Sequence, residues 1–105
     1  MDCIFEWDEQ KNLANMKKHG ISFQEAKTCF EDDFAEIFSD IEHSENEDRY
    51  IILGLSETIR TLVVIYTEKD INDDEQIVNR IISARKAAKK EFLYYWKQRW
   101  QKEQK

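Results

Sequence analysis

One histidine and a set of arginines are the side chains here best suited to chemistry on charged oxygen. His43 sits with Ser44 in the loop SDIEHSENEDRY, and Arg49 follows six residues later at the start of an apolar run. Histidine titrates near neutrality, so His43 can take a proton from a ribose 2′-hydroxyl or give one to a leaving 5′-oxygen. Surrounded by Glu42, Glu45, Glu47 and Asp48, it can equally be a solvated loop residue. Arg49, Arg60, Arg80 and Arg85 all lie on or beside predicted strands. A guanidinium among valines and isoleucines is costly unless it reaches water, a carboxylate or a bound anion. Alternation in IVNRIIS puts Val78, Arg80 and Ile82 on one face and Asn79, Ile81 and Ser83 on the other. Arg80 is therefore expected either to pair with Glu68 or to hold a phosphate and stabilise charge developing on it. Lys18 and His19 precede Gly20 at the end of a predicted helix, where they can answer the helix dipole or contact a phosphate or a base.

Those residues need a scaffold, and the sequence outlines one. FEWD (5–8) reads as a short edge strand, with Asp8 as N-cap of a helix that runs through Leu13 and Met16 and stops at Gly20. A second, short helix opens on Ser22. Its SFQE start predicts a capping box, in which the serine oxygen accepts from the Glu25 amide and the glutamate reaches back to the Ser22 amide. The period then changes to two. Strands are expected at 35–40, 49–56, 61–68 and 77–83, the near-continuous apolar run TLVVIYTE being central and SETIR a hairpin turn. KDINDDEQ (69–76) is expected as a loop, and a helix over about 84–103 closes the chain. The predicted class is α+β, one small domain over 1–105. A mostly antiparallel sheet packs with two N-terminal helices and one long C-terminal helix.

Composition limits the function. At 105 residues with mean hydropathy -0.77 and no long apolar run, the chain is expected to be soluble, with no membrane span and no membrane partner. MDCIFEWDEQ is too acidic for a signal peptide. Cys3 and Cys29 lack CxxC spacing, and no His, Cys or carboxylate set has convincing metal spacing. No metal, no cofactor and a reducing cytoplasm are the expectations, with Cys29 a small buried hydrophobe. The net charge of -6 hides an asymmetry: residues 1–78 carry 7 cations against 20 acids, and residues 79–105 carry 9 against 2. The basic end is either a solvated helix face or a footprint for a polyanion or acidic partner.

FEWDEQK, KHGISFQEA, HSENEDR, TLVVIYTE and RIISARKA, in this order and spacing over about residues 4 to 91, resemble the BrnT family of bacterial type II toxins. In that resemblance Lys11, Lys18 and His19 fall in the first-helix pattern, His43 and Arg49 in HS-x-x-E-x-R, Glu68 in TE, and Arg80, Ser83 and Arg85 in RIISAR. Lys69 stands where relatives often have arginine. The resemblance implies a small RelE-like ribonuclease that cleaves RNA and is held inactive by a BrnA-like antitoxin with a ribbon-helix-helix domain. Operator DNA would then be met only through the antitoxin. Metal is not required if the substrate's own 2′-hydroxyl attacks. The expected catalytic set is His43, Arg49, Glu68, Arg80 and Arg85, and the expected substrate-binding set is Lys11, Lys18, His19, Arg60 and Ser83. Two other functions stand beside this one: an inactive module that binds a partner through its last helix, and a transcriptional regulator, against which acidity and the lack of a helix-turn-helix argue. In the tail FLYYWKQRWQK, Phe92 and Tyr95 are expected on the sheet, and Trp100 with Lys97 and Arg99 at an edge open to the antitoxin.

Overall fold

A computed structural model describes residues 3–43, 48–71 and 76–104. Ser44, Glu45 and Glu47 beside His43, and residues 72–75 of the expected acidic loop, lie outside them. The elements are β1 (Cys3–Glu6), α1 (Glu9–His19), α2 (Phe23–Thr28), β2 (Glu36–Ser39), β3 (Asp48–Leu55), β4 (Thr61–Ile71), β5 (Gln76–Lys86) and α3 (Lys89–Glu103), with 3-10 turns at Cys29–Glu31 and Ile41–His43. The five strands are ordered β1-β5-β4-β3-β2, parallel between β1 and β5 and antiparallel elsewhere. The α+β class, the element order and the central place of β4 are as the sequence predicts.

α1 begins where Asp8 accepts from the amides of Gln10 and Lys11, and it ends at Gly20 with φ +71°. Two buried asparagines tie it down. Asn12 Oδ1 accepts from the Phe23 amide at 2.8 Å, which fixes the α1–α2 corner. Asn15 donates to the Ala84 carbonyl at 2.8 Å and accepts from the Ala84 amide at 3.2 Å. β1 pairs with β5 only over Ile77 to Arg80, so the Asn15 amide takes the place of a strand along the β5 edge beyond.

Helices cover the two faces of the sheet unequally. α2, the first 3-10 turn and Ile21 before them seal one face over a core of Ile21, Phe23, Ala26, Cys29, Ile52, Leu62, Val64, Tyr66, Ile81 and Ala84, while α1 docks at the β5 edge through Asn15. Cys29 is fully buried there, and burial pushes its thiol up to about 12, so it packs as an inert apolar group. On the other face α3 crosses only one end, where Tyr95 packs on Leu53 and Val63 and Trp96 Nε1 donates to Thr61 Oγ1 at 3.1 Å. Asp32 anchors α3 to the sheet by accepting from Tyr95 Oη at 2.5 Å and from the Leu55 amide at 2.8 Å.

Several expectations are corrected. β1 spans Cys3–Glu6, and Trp7 leaves the sheet to pack edge-on against Phe23 at 6.2 Å. Pairing with β5 carries β4 on to Ile71, so residues 69–71, expected as loop, are strand. β5 runs to Lys86 and α3 starts at Lys89, not Ala84, because cross-strand partners hold Ala84, Arg85 and Lys86 in the ladder despite helix-forming side chains. Ser22 accepts from the Glu25 amide at 3.0 Å, but the Glu25 carboxylate binds Arg60, Ser56 and Thr58 and does not close the box. Phe92 is 46% exposed, while Tyr95 is buried as expected.

Candidate functional site

One irregularity in β5 sets the geometry of the open face. Tyr66 pairs with Ile81 but Ile65 pairs with Ser83, so Ile82 has no partner on β4 and the strand carries a β-bulge. Strict alternation would separate Arg80 from Ser83 and Arg85. The bulge resets the alternation and turns all three toward the α3 face, alongside Thr67, Ile65 and Val63 of β4. Ser83 thus changes face from the sequence expectation.

The cross-strand register then defines a row. Arg49 lies opposite Thr67, Thr67 opposite Arg80, and Arg80 opposite Glu6. This row lies beyond the end that α3 crosses; the Arg80 side chain reaches the surface, while Thr67 between the two arginines is buried. The Arg80–Glu6 contact is long, 3.7 Å, between side chains 41% and 51% exposed. Such a pair holds little energy and leaves the guanidinium accessible to an anion. Arg80 and Glu68 do not pair. Glu68 lies opposite Asn79 and therefore projects from the sealed side, behind the sheet from Arg80. There, burial and the nearby Glu68 carboxylate raise the pKa values of Tyr50 and Tyr66.

His43 stands at the Arg49 end of the row. Asp40 donates its amide to the Arg49 carbonyl at 2.8 Å, which brings the turn Ile41–His43 against the start of β3. The Asp40 carboxylate holds His43 Nδ1 at 3.0 and 3.1 Å. A carboxylate on Nδ1 fixes the ring and the tautomer, leaving Nε2 to exchange a proton. Sequence reading named the histidine but not its aspartate; the signal was D-x-x-H, which one helical turn brings together.

The other expected residues have different surroundings. Arg85 makes a fork to Glu91, at 2.8 and 2.9 Å, and Glu91 also accepts from the Ala88 amide at 2.7 Å. The guanidinium holds the Glu91 carboxyl below its ordinary range, and the pair fastens the first turn of α3 to β5. Arg60 lies on the sealed side, with its fork bound to Glu25, which also accepts from Ser56 and Thr58. That hydrogen bonding, led by Arg60, lowers the Glu25 carboxyl to about 2 against the cost of its burial. Lys11, Lys18 and His19 are on α1, which docks at the β5 edge, and Lys18 and His19 occupy its last turn. The structure therefore brings Arg49, Arg80, Ser83 and Arg85 onto one face with His43 at its end. It turns Glu68 to the opposite face and binds Arg60 into the Glu25 network there.

An apolar cleft of about 410 Å³ opens between this face and α3, lined by Phe38, Ile51, Leu53, Val63, Lys90, Glu91 and Tyr94. Phe38 and Tyr94 meet in its lining as a tilted aromatic pair, with ring centroids 6.2 Å apart. Neither ring was among the residues expected at the site.

The result is a small α+β domain with one sealed face and one half-open face that carries Arg49, Arg80 and Arg85. Residues 7–91 match the family model described as the ribonuclease toxin BrnT of type II toxin-antitoxin systems, and the chain belongs to that family. The fold is similar to the 1.1 Å crystal structure of the ribonuclease toxin BrnT of Brucella abortus. That match has TM-score 0.56 and 23% identity over 85% of this chain and all of the other. None of the curated proteins compared matches the chain.

Proposed function

We propose that this protein is itself a metal-independent endoribonuclease, and that it works on the α3 face of its sheet. The observation that carries this reading is the row Arg49–Thr67–Arg80, with Ser83 on the same face and the His43–Asp40 pair at its end. The substrate's 2′-hydroxyl attacks the adjacent phosphorus, the O2′–P bond forms and the P–O5′ bond breaks, leaving a 2′,3′-cyclic phosphate and a free 5′-hydroxyl. Arg80 binds the phosphate and stabilises its growing negative charge, with Arg49 across the row. His43 Nε2 carries one of the two protons that move, with Asp40 holding the ring in orientation. Among the described residues no three His, Cys, Asp or Glu side chains come together as a metal-ligand set. In this reading Arg85 is a positioning residue that fixes α3 beside the site through Glu91. Glu68 and Arg60, on the other side of the sheet, do not contact the reacting phosphate in this reading.

The partner in this proposal is a BrnA-like ribbon-helix-helix antitoxin, which itself makes the contact with operator DNA, and the compartment is the cytoplasm. Trp100 and Leu93 project from α3 at 62% and 55% exposure and suit a protein contact. Arg99 is held by Asp32, Tyr95 and Glu103 and stacks on Phe34, so it is part of the fold and not an edge residue open to the antitoxin.

The test is cleavage of a defined RNA by purified protein with and without EDTA, with the product ends identified. Cyclic-phosphate ends, EDTA resistance, and loss of cleavage in Arg80→Ala are expected. Dependence on a divalent ion, or full activity in Arg80→Ala, would overturn the proposal.

A further inference from the structure

The cleft between α3 and the sheet lies next to the proposed site without containing any group that the cleavage uses. Its floor is Ile51, Leu53 and Val63, and its two rings, Phe38 and Tyr94, are 41% and 42% exposed. Two aromatic side chains left partly in water at the mouth of an apolar cleft form a platform for a flat, apolar-faced ligand. The charge at its rim favours a ligand carried on a phosphate chain. Lys90 lines the cleft, and the Arg85–Glu91 pair beside it adds no net charge, so the rim carries one positive charge. The single acid in the lining, Glu91, is already occupied by Arg85 and the Ala88 amide. Phe38, Ile51, Ile65 and Ser83 make the sheet row adjoining Arg49, Thr67 and Arg80. Adjacent same-face rows are about 7 Å apart along the strands, within the reach of one nucleotide.

We infer that this cleft is a nucleobase subsite: Phe38 and Tyr94 hold one unstacked base of the RNA while Arg80 holds the phosphate beside it. The inference rests on the ribonuclease reading above and adds a sequence-reading role to it. A single base stacked on aromatic rings contributes enough to change affinity roughly tenfold. Because Phe38 comes from edge strand β2 and Tyr94 from α3, the spacing of the two rings depends on how α3 is anchored. Asp32 and the Arg85–Glu91 fork thereby hold the two rings together as one platform.

The experiment uses the full chain and an RNA blocked at the scissile position by 2′-O-methylation, prepared with every base in place and with an abasic residue next to the block. Binding is measured for the wild type and for Phe38→Leu and Tyr94→Leu, which keep apolar bulk but remove the ring; thermal unfolding checks that both fold. Each substitution is expected to weaken binding of the intact RNA about tenfold and to leave binding of the abasic RNA at the wild-type level. On a cleavable RNA the loss should appear in KM and in altered sequence preference. Equal losses on intact and abasic RNA, or none on either, would overturn the subsite while leaving the ribonuclease proposal standing if wild-type cleavage is intact. Loss of antitoxin binding without loss of RNA binding would reassign the cleft to a protein partner. If the wild type neither binds nor cleaves RNA, both inferences fall together.

Discussion

Arg60 and Arg80 each lie beside a carboxylate, on opposite faces of the same sheet, and their surroundings differ in nearly every respect. On the sealed side Glu25 has 10% side-chain exposure and gathers Arg60, Ser56 and Thr58 into one closed network. On the open side Arg80 and Glu6 stand 3.7 Å apart in water. Arginine on a strand therefore does not by itself indicate function. A guanidinium whose donors are satisfied by buried carboxylate oxygens belongs to the fold, and one held loosely at the surface is available to a ligand. The sealed network also bears on the turn it encloses. Ile59 adopts φ +62°, a costly conformation for a β-branched residue, and the turn is held by Ser56, Thr58 and Arg60, all of which reach Glu25.

Removing the centre of the sealed network is expected to have the largest effect. Glu25→Ala leaves Arg60, Ser56 and Thr58 without their acceptor and should lower the unfolding free energy by about 3 kcal/mol, read by urea denaturation at pH 7. The same carboxyl gives the acid dependence. Its folded pKa of about 2 lies below the ordinary 4.5, so its contribution is complete above pH 4.5 and is lost as pH falls toward 2. Glu25→Gln should flatten the stability profile across that window, and an unchanged slope would show that the network is not the source of the acid sensitivity.

On the open face the expected effect is on chemistry. Arg80→Ala should slow RNA cleavage about a hundredfold, equivalent to about 2.7 kcal/mol of transition-state stabilisation, while unfolding changes by no more than about 0.5 kcal/mol. A variant that lost stability as Glu25→Ala does would erase the contrast between the two arginines. Between the faces stands Tyr95, whose hydroxyl donates to Asp32 and accepts from Arg99. Tyr95→Phe should cost about 1–2 kcal/mol in chemical denaturation, because Asp32 and Arg99 each lose a buried partner. The smallest expected change is a gain. Ile59→Gly relieves the positive φ and should raise stability by up to about 1 kcal/mol, visible as a higher thermal midpoint; a loss would mean that the exposed isoleucine has a role beyond the turn.

Much of the fold is legible in the sequence because its signals are local. Asp8 and Gly20 delimit α1, Ser22 starts α2, alternation marks the strands, and the apolar run TLVVIYTE becomes the central strand. The family is legible for the same reason, since its motifs are short and ordered along the chain. At the proposed site, the sequence points to Arg49, Arg80, Ser83, Arg85 and His43 but leaves Asp40, Phe38 and Tyr94 unnamed. Their partners come from other elements or depend on a turn that composition does not specify. The boundary between β5 and α3 was misread because helix propensity in SARKAAKK gives way to cross-strand hydrogen bonds that only a neighbouring strand can supply.

The sequence by itself determined the element order, the N-caps of α1 and α2 and the presence of arginine, serine and histidine in a ribonuclease-toxin pattern, because caps, turns and periodicity are properties of neighbouring residues. Only the tertiary structure decided which of those polar residues share a face. One unpaired residue, Ile82, resets the alternation of β5 and turns Ser83 and Arg85 to the side of Arg80, while regular pairing of β4 with β5 turns Glu68 away. Side-chain direction along a strand has period two, so a single extra residue reverses every assignment beyond it, and whether that residue is paired or bulged is set by the partner strand.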